Sequence, residues 1–289
     1  MRLRTLPLAI VGIGFGLFAV SNVQEINWFI AGLTLATAIL LQIFSNVAND
    51  YGDYHNGADG HREDRAAASG SISMSGMKVL LWVFGILSFG TGLLLLYIAF
   101  QENFTALLLF LGLGIICLIG AYKYTAGNKP YGYAALGDVS VFLFFGVIAV
   151  LGTYYLQLNA FHLPPLYLAI SSGLLAVSVL NINNLRDLET DRAAGKKTLA
   201  LKLGLANGLL YQKVLYAISL GLLAYFAYEF GPHVYWDGKP KIIALLVFYL
   251  LFFILQMKLR KAHEHKTYTN LLKINVLLIL ALSLTYWFI

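Results

Sequence analysis

The run Asn46-Val-Ala-Asn49-Asp50-Tyr-Gly-Asp53 gathers two carboxylates and two carboxamides into one short stretch. A second run, Asn183-Asn184-Leu-Arg-Asp187-Leu-Glu-Thr-Asp191, repeats the combination far downstream. On a helix, side chains three or four residues apart share a face. Asn46, Asp50 and Asp53 therefore form one stripe with Asn49 beside it, and Asn183, Asp187 and Asp191 form another. Oxygen donors without His or Cys at matching spacing suit a hard cation. Mg²⁺ takes one or two carboxylates and leaves its other positions to water and substrate phosphate. A diphosphate is the partner this implies. Gly195-Lys196-Lys197-Thr198 sets cations beside the second stripe, and Arg65 follows the first, where both can meet phosphate oxygens. Metal and cations together would stabilise the charge that grows on a departing diphosphate.

The elements that carry these runs are apolar. Of 289 residues, 59% are hydrophobic and 12% charged, with mean hydropathy +0.74, the composition of a polytopic membrane protein. Apolar stretches at roughly 6–21, 27–46, 79–100, 104–124, 137–157, 165–183, 207–230, 241–257 and 270–289 predict nine spanning helices in an all-α fold. The first reads as a span, since no cleavage site followed by a soluble domain comes after it. Each polar run closes the second span of a four-span set. That spacing predicts one transmembrane domain over 1–289, built of duplicated halves (about 1–136 and 137–259) plus a ninth helix. If spans 2 and 6 face one another, the stripes form a four-carboxylate pocket. Each aspartate at the centre of a bilayer would cost about 2.5–3.5 kcal/mol, less near the interface, so something positive belongs there.

Lys and Arg alternate between loops. They follow spans 2, 4, 6 and 8 and precede span 1, while the loops near 22–26, 101–103 and 158–164 carry none and the loop after span 7 carries only Lys239 and Lys241. This places the N-terminus and both polar runs on the cytoplasmic side of the inner membrane. The formal net charge of +6 is mostly this retention signal, and no basic groove with interleaved aromatics suggests nucleic acid. Cys117 is the only cysteine, so there is no disulfide framework. His263-Glu-His265 reads as a solvated part of a basic loop. His55, two positions past Asp53, faces away from the stripe.

With these residues in view, the chain resembles the UbiA superfamily of intramembrane aromatic prenyltransferases, whose two aspartate-rich motifs match Asn49-Asp50-Tyr-Gly-Asp53 and Asp187-Leu-Glu-Thr-Asp191. Within it, the 1,4-dihydroxy-2-naphthoate polyprenyltransferases are most similar. That likeness is carried by Gln42 through Asp53, Gly57-Ala-Asp59, Tyr124-Thr-Ala-Gly-Asn-Lys129-Pro-Tyr-Gly132, Gly137-Asp138, Phe144 through Gly152, and Asn183-Asn184 through Thr198-Leu-Ala200. The resemblance implies a nine-span bundle around a central cavity and Mg²⁺ as cofactor. The polyprenyl chain would pass from its diphosphate to an aromatic acid, 1,4-dihydroxy-2-naphthoate, with decarboxylation, giving demethylmenaquinone. It further implies diphosphate contacts from Arg4 and, in the Gly-Lys-x-Thr pattern, from Lys196, with Lys197 in the variable slot. Tyr124 and Asp138 would lie at the acceptor cavity, and Asp59, Asn184 and Thr198 belong to the same motifs. Lys123 and Lys129 would hold either the diphosphate or the acceptor carboxylate, or serve only as retention charges. The nearest rival is prenylation of 4-hydroxybenzoate or another aromatic. A secondary transporter would need a polar path to both faces, and here the acidic motifs share one.

Overall fold

The computed structural model describes residues 6–55, 71–127, 129–230 and 239–288; Arg4, Asp59 and Arg65 lie outside them. All regular structure among the described residues is helical. Eight helical spans are long and apolar enough to cross a membrane, and the first apolar helix, α1 (Leu6–Ser21), is shorter. The protein is an all-α, integral membrane protein.

Helix α2 (Trp28–His55) runs well past the expected end at 46, so the first polar run falls within its last three turns. Helices α3 (Met74–Phe100) and α4 (Phe104–Lys123) follow, each capped by a side chain, Ser73 and Asn103. The fifth span changes pitch twice: α5 (Gly137–Phe142), a π-helical segment at Leu143–Leu151, then α6 (Gly152–Leu158). Nothing in its apolar composition announces this widening.

The second polar run departs from a straight stripe. Helix α7 (Pro165–Arg186) ends at Asp187, whose φ of −100° and ψ of 15° leave the helical region, and α8 (Leu188–Ala193) restarts beyond it. The amide of Asp187 still donates to Asn183 O (3.2 Å) and that of Asp191 to Asp187 O (2.8 Å), so the stripe bends without losing its spacing. Helix α9 (Leu199–Glu229) starts earlier than the expected 207 because Thr198 caps it: its Oγ1 accepts the Leu201 amide at 3.3 Å. Gly204, at φ 73°, breaks the helix soon afterwards. That conformation suits only glycine at low cost. The chain closes with α10 (Lys239–Arg260) and α11 (His265–Phe288).

Helix α7 is the axis of the bundle, packed by α9, the fifth span, α1 and α11. Its Leu168, Leu175 and Ile182 are fully buried. Small residues let backbones meet there: a Cβ on Gly146 would lie 2.5 Å from Ala169 O, and one on Gly173 would lie 2.6 Å from the Phe142 ring. Buried hydrogen bonds add to the packing. Tyr216 donates to Asn275 Oδ1 (2.9 Å), Asn275 to Ser178 Oγ (3.1 Å), and Asn181 to Gln212 Oε1 (2.8 Å). Helices α3 and α4 lie at the other extreme. Ala106 alone is buried on α4, and Trp82, Leu109 and Ile116 face outward.

Candidate active site

The site begins where the end of α2 meets the loop after α4. A Cβ on Gly52 would stand 2.5 Å from both the carbonyl carbon and oxygen of Thr125, so the loop lies directly on the helix backbone. Thr125 Oγ1 donates to Asn49 Oδ1 (2.9 Å) and sits 3.3 Å from Ala48 O. The loop then forms a 3₁₀ turn at Tyr131–Tyr133. From that turn Tyr131 donates to Gly120 O (2.8 Å), and burial pushes its phenol above the ordinary tyrosine value.

Tyr133 joins the two halves of the site. Its hydroxyl donates to Asp53 Oδ1 (2.6 Å), and its carbonyl accepts the Lys197 amide (2.9 Å). Its ring lies 4.7 Å from Lys196 Nζ. That ammonium reaches across to both motifs, 3.2 Å from Asp191 Oδ1 and 3.8 Å from Asp53 Oδ1, with its side chain 15% exposed. Lys197 points outward and is exposed. Two adjacent lysines thus serve different faces of one turn.

Asp187 has its own cation. Arg186 donates through Nε to Oδ1 (2.8 Å) and through NH2 to Oδ2 (2.6 Å), a fork that also reaches Asn183 Oδ1 (2.8 Å). His265, at the start of α11, brings Nε2 to 3.4 Å from Asp187 Oδ1. Its side chain is 63% exposed, yet it adjoins the second motif, so its place is not simply that of a solvated loop residue.

Below these groups lies a cavity of about 450 Å³. Its polar end carries Gln42, Asn46, Asn49, Asp50, Asn183 and Arg186, together with Tyr124 and Tyr131. Its walls are apolar and include the rings of Phe89, Phe110, Phe144 and Phe145. Thr34, on α2, marks the far end, about 24 Å from Asp50 along the helix at 1.5 Å per residue. The π-helical segment supplies Phe144, Phe145, Ile148 and Ala149 to the wall, so the change of pitch occurs where the cavity is lined.

The structure therefore gathers Asn46, Asn49, Asp50, Asn183 and Tyr124 at the cavity, and Asp53, Asp191 and Lys196 in a second cluster outside its wall. Asn184 and Thr198 are buried but line no part of the cavity. Asp138 is displaced from the expected position: it faces α9, where Tyr211 donates to its Oδ2 (3.1 Å), while Ser140 and Val141 occupy the wall. Lys123 and Lys129 are exposed and stand apart from the cavity wall. Arg186 and Tyr133 escaped detection in the sequence. Arg186 had a signal in its position inside the second motif; Tyr133 had none, because its partner is 80 residues away.

Four buried aspartates, with the carboxamides of Asn46 and Asn49 buried beside them and Asn183 half-buried, offer oxygen donors that fit a hard divalent cation. The Lys196 ammonium already bridges one carboxylate from each motif, as a cation would. Among the described residues no three acidic, His or Cys side chains converge into a closed cage.

Comparison with known proteins agrees with this geometry. Residues 6–279 match the UbiA prenyltransferase family. The chain belongs to that family. This UbiA-family chain is 43% identical over 249 residues to the 1,4-dihydroxy-2-naphthoate octaprenyltransferase of Haemophilus influenzae, covering 84% of this chain and 80% of the relative. It is 38% identical over 297 residues to the Escherichia coli protein of the same name, covering 99% and 94%. A UbiA homolog from Archaeoglobus fulgidus, solved with DMAPP and Mg²⁺, shares its fold with a TM-score of 0.65 at 24% identity, covering 98% of this chain and 92% of that one.

Proposed function

We propose that this UbiA-family prenyltransferase moves a polyprenyl group from its diphosphate to 1,4-dihydroxy-2-naphthoate, releasing CO₂ and diphosphate in the step that leads to menaquinone. The observation that carries the proposal is the junction of the Asp50, Asn183 and Arg186 end with a deep, aromatic-walled cavity. Two relatives of that name, similar over most of their length, support the choice of acceptor.

In this reading Asp50, Asp53, Asp187 and Asp191 would hold Mg²⁺ through their oxygens, with Asn46, Asn49 and Asn183 beside them. Bound Mg²⁺ supplies charge neutralisation for the departing diphosphate. Arg186 and Lys196, each beside a motif carboxylate, donate to phosphate oxygens and fix the leaving group at the polar end. The prenyl chain lies along the apolar wall. As its C1–O bond breaks, the allylic cation faces aromatic rings such as Phe144 and Tyr124. The ring carbon bearing the acceptor's carboxylate attacks C1, and loss of CO₂ restores the aromatic system. Both motifs and the Tyr133 loop then open to the cytoplasm, the side on which Lys and Arg accumulate.

The test is purified protein with Mg²⁺, a prenyl diphosphate and a panel of aromatic acids. With 1,4-dihydroxy-2-naphthoate, one CO₂ and one diphosphate should appear per prenylated product. Preferential prenylation of 4-hydroxybenzoate with its carboxylate retained would keep the family and overturn the acceptor.

A further inference from the structure

Lys196 has a geometry that phosphate binding alone does not require. Its ammonium sits over the Tyr133 ring and between Asp53 on α2 and Asp191 on α8. The two acidic side chains are 4% and 12% exposed, and Tyr133 holds the nearer oxygen of Asp53 at 2.6 Å. The lysine is fixed from behind by the Lys196 amide bond to Asp191 O (3.0 Å) and the Lys197 amide bond to Tyr133 O (2.9 Å). Backbone and side chain thus tie the motifs of the two halves to each other through one residue.

We infer that Lys196 is an internal counter-ion that occupies one carboxylate of each motif, Asp53 and Asp191, until a diphosphate draws it away, so that divalent metal binds strongly only together with the diphosphate. The inference rests on the Mg²⁺-diphosphate reading of the site and adds an order of events to it. An ammonium and a divalent ion compete for the same Asp53 and Asp191 oxygens. The incoming diphosphate offers the ammonium a stronger partner within side-chain reach, a charge-assisted bond to phosphate oxygen. When Lys196 turns to it, the carboxylates pass to the metal. Linkage makes the effect reciprocal: metal strengthens diphosphate binding by the factor by which diphosphate strengthens metal binding. Tyr133 remains on Asp53 throughout and keeps its position while the ammonium moves.

The experiment is Mn²⁺ titration of the full-length protein in detergent, followed by loss of the free-ion electron paramagnetic resonance signal. It is run on the wild type, Lys196→Met and Lys196→Arg, with and without geranyl S-thiolodiphosphate, whose C–S bond resists cleavage; protein-free samples correct for Mn²⁺ held by the analogue. In the wild type the analogue should tighten Mn²⁺ binding by about tenfold or more, within the usual range of coupling between sites. Lys196→Met should bind Mn²⁺ alone more tightly than the wild type and lose most of the coupling, whereas Lys196→Arg, which keeps the charge, should retain it. Lys196→Gln, also neutral, carries the same comparison should the Met variant fail to fold. Neutral variants that bind Mn²⁺ alone no better than the wild type would overturn the counter-ion while leaving the proposed function standing. No Mn²⁺ binding by the wild type with the analogue would overturn both.

Discussion

At the level of single side chains, adjacent lysines take opposite environments, and the difference gives a direct test. Lys196 contacts Asp53 and Asp191, whereas Lys197 is exposed. Lys196→Ala should lower kcat/KM for prenyl diphosphate by about 30-fold, the equivalent of about 2 kcal/mol for a charged hydrogen bond lost. Lys197→Ala should stay close to wild type, and equal losses in the two variants would remove the assignment. Asp50→Asn, Asp53→Asn, Asp187→Asn and Asp191→Asn should each bring turnover near background while the protein still inserts, because the amide keeps the shape and loses the charge. Full activity in any two of them would sink the two-motif mechanism. The aspartates were legible in the sequence because helical spacing alone aligned them. Their partners were less so: Tyr133 and His265 reach Asp53 and Asp187 only through the folding of distant segments, and no local pattern encodes that.

Among the elements, the contact of α2 with the loop after α4 is the most exacting. Gly52 and Thr125 leave no room for a methyl group. Gly52→Ala should cost about 1–3 kcal/mol, as overpacking usually does, and should lose activity with it, since Asn49 and Asp53 depend on the same contact. Gly90→Ala on α3 is the control: a Cβ there meets nothing within 4 Å, so its midpoint of thermal unfolding in detergent should hold or rise slightly. A Gly52→Ala protein as stable and active as wild type would show that the loop can stand off from the helix. The apolar stretches located the eight described helices long enough to span, because lipid demands long apolar helices, while the first expected span is the shorter α1. Their ends were less legible: α2 extends into a run of polar residues, Gly204 interrupts α9 by a backbone conformation, and the π-helical segment differs from an α-helix only in hydrogen-bond pitch.

For the whole molecule, the proposed placement of the prenyl chain in the cavity makes the cavity's length a limit on the chain that fits beside the reacting carbon. Gly114 lines it from α4, and a Cβ there would meet no neighbour within 4 Å. Gly114→Leu should therefore intrude on the cavity without strain elsewhere. With long prenyl diphosphates kcat/KM should fall about tenfold or more, comparable to the discrimination a few methylenes provide in an apolar pocket. Use of geranyl diphosphate should change little, and equal losses for both donors would mean that the tail lies elsewhere. The same helix has another consequence. With Ala106 its sole buried residue, α4 has the reaction cavity on one side and outward-facing Leu109 and Ile116 on the other. Acyl chains must supply the packing that protein supplies around α7. On the proposed function, the surrounding lipid becomes a structural component of the cavity wall, and bilayer thickness and fluidity should alter turnover in an otherwise unchanged chain, much as a core substitution would.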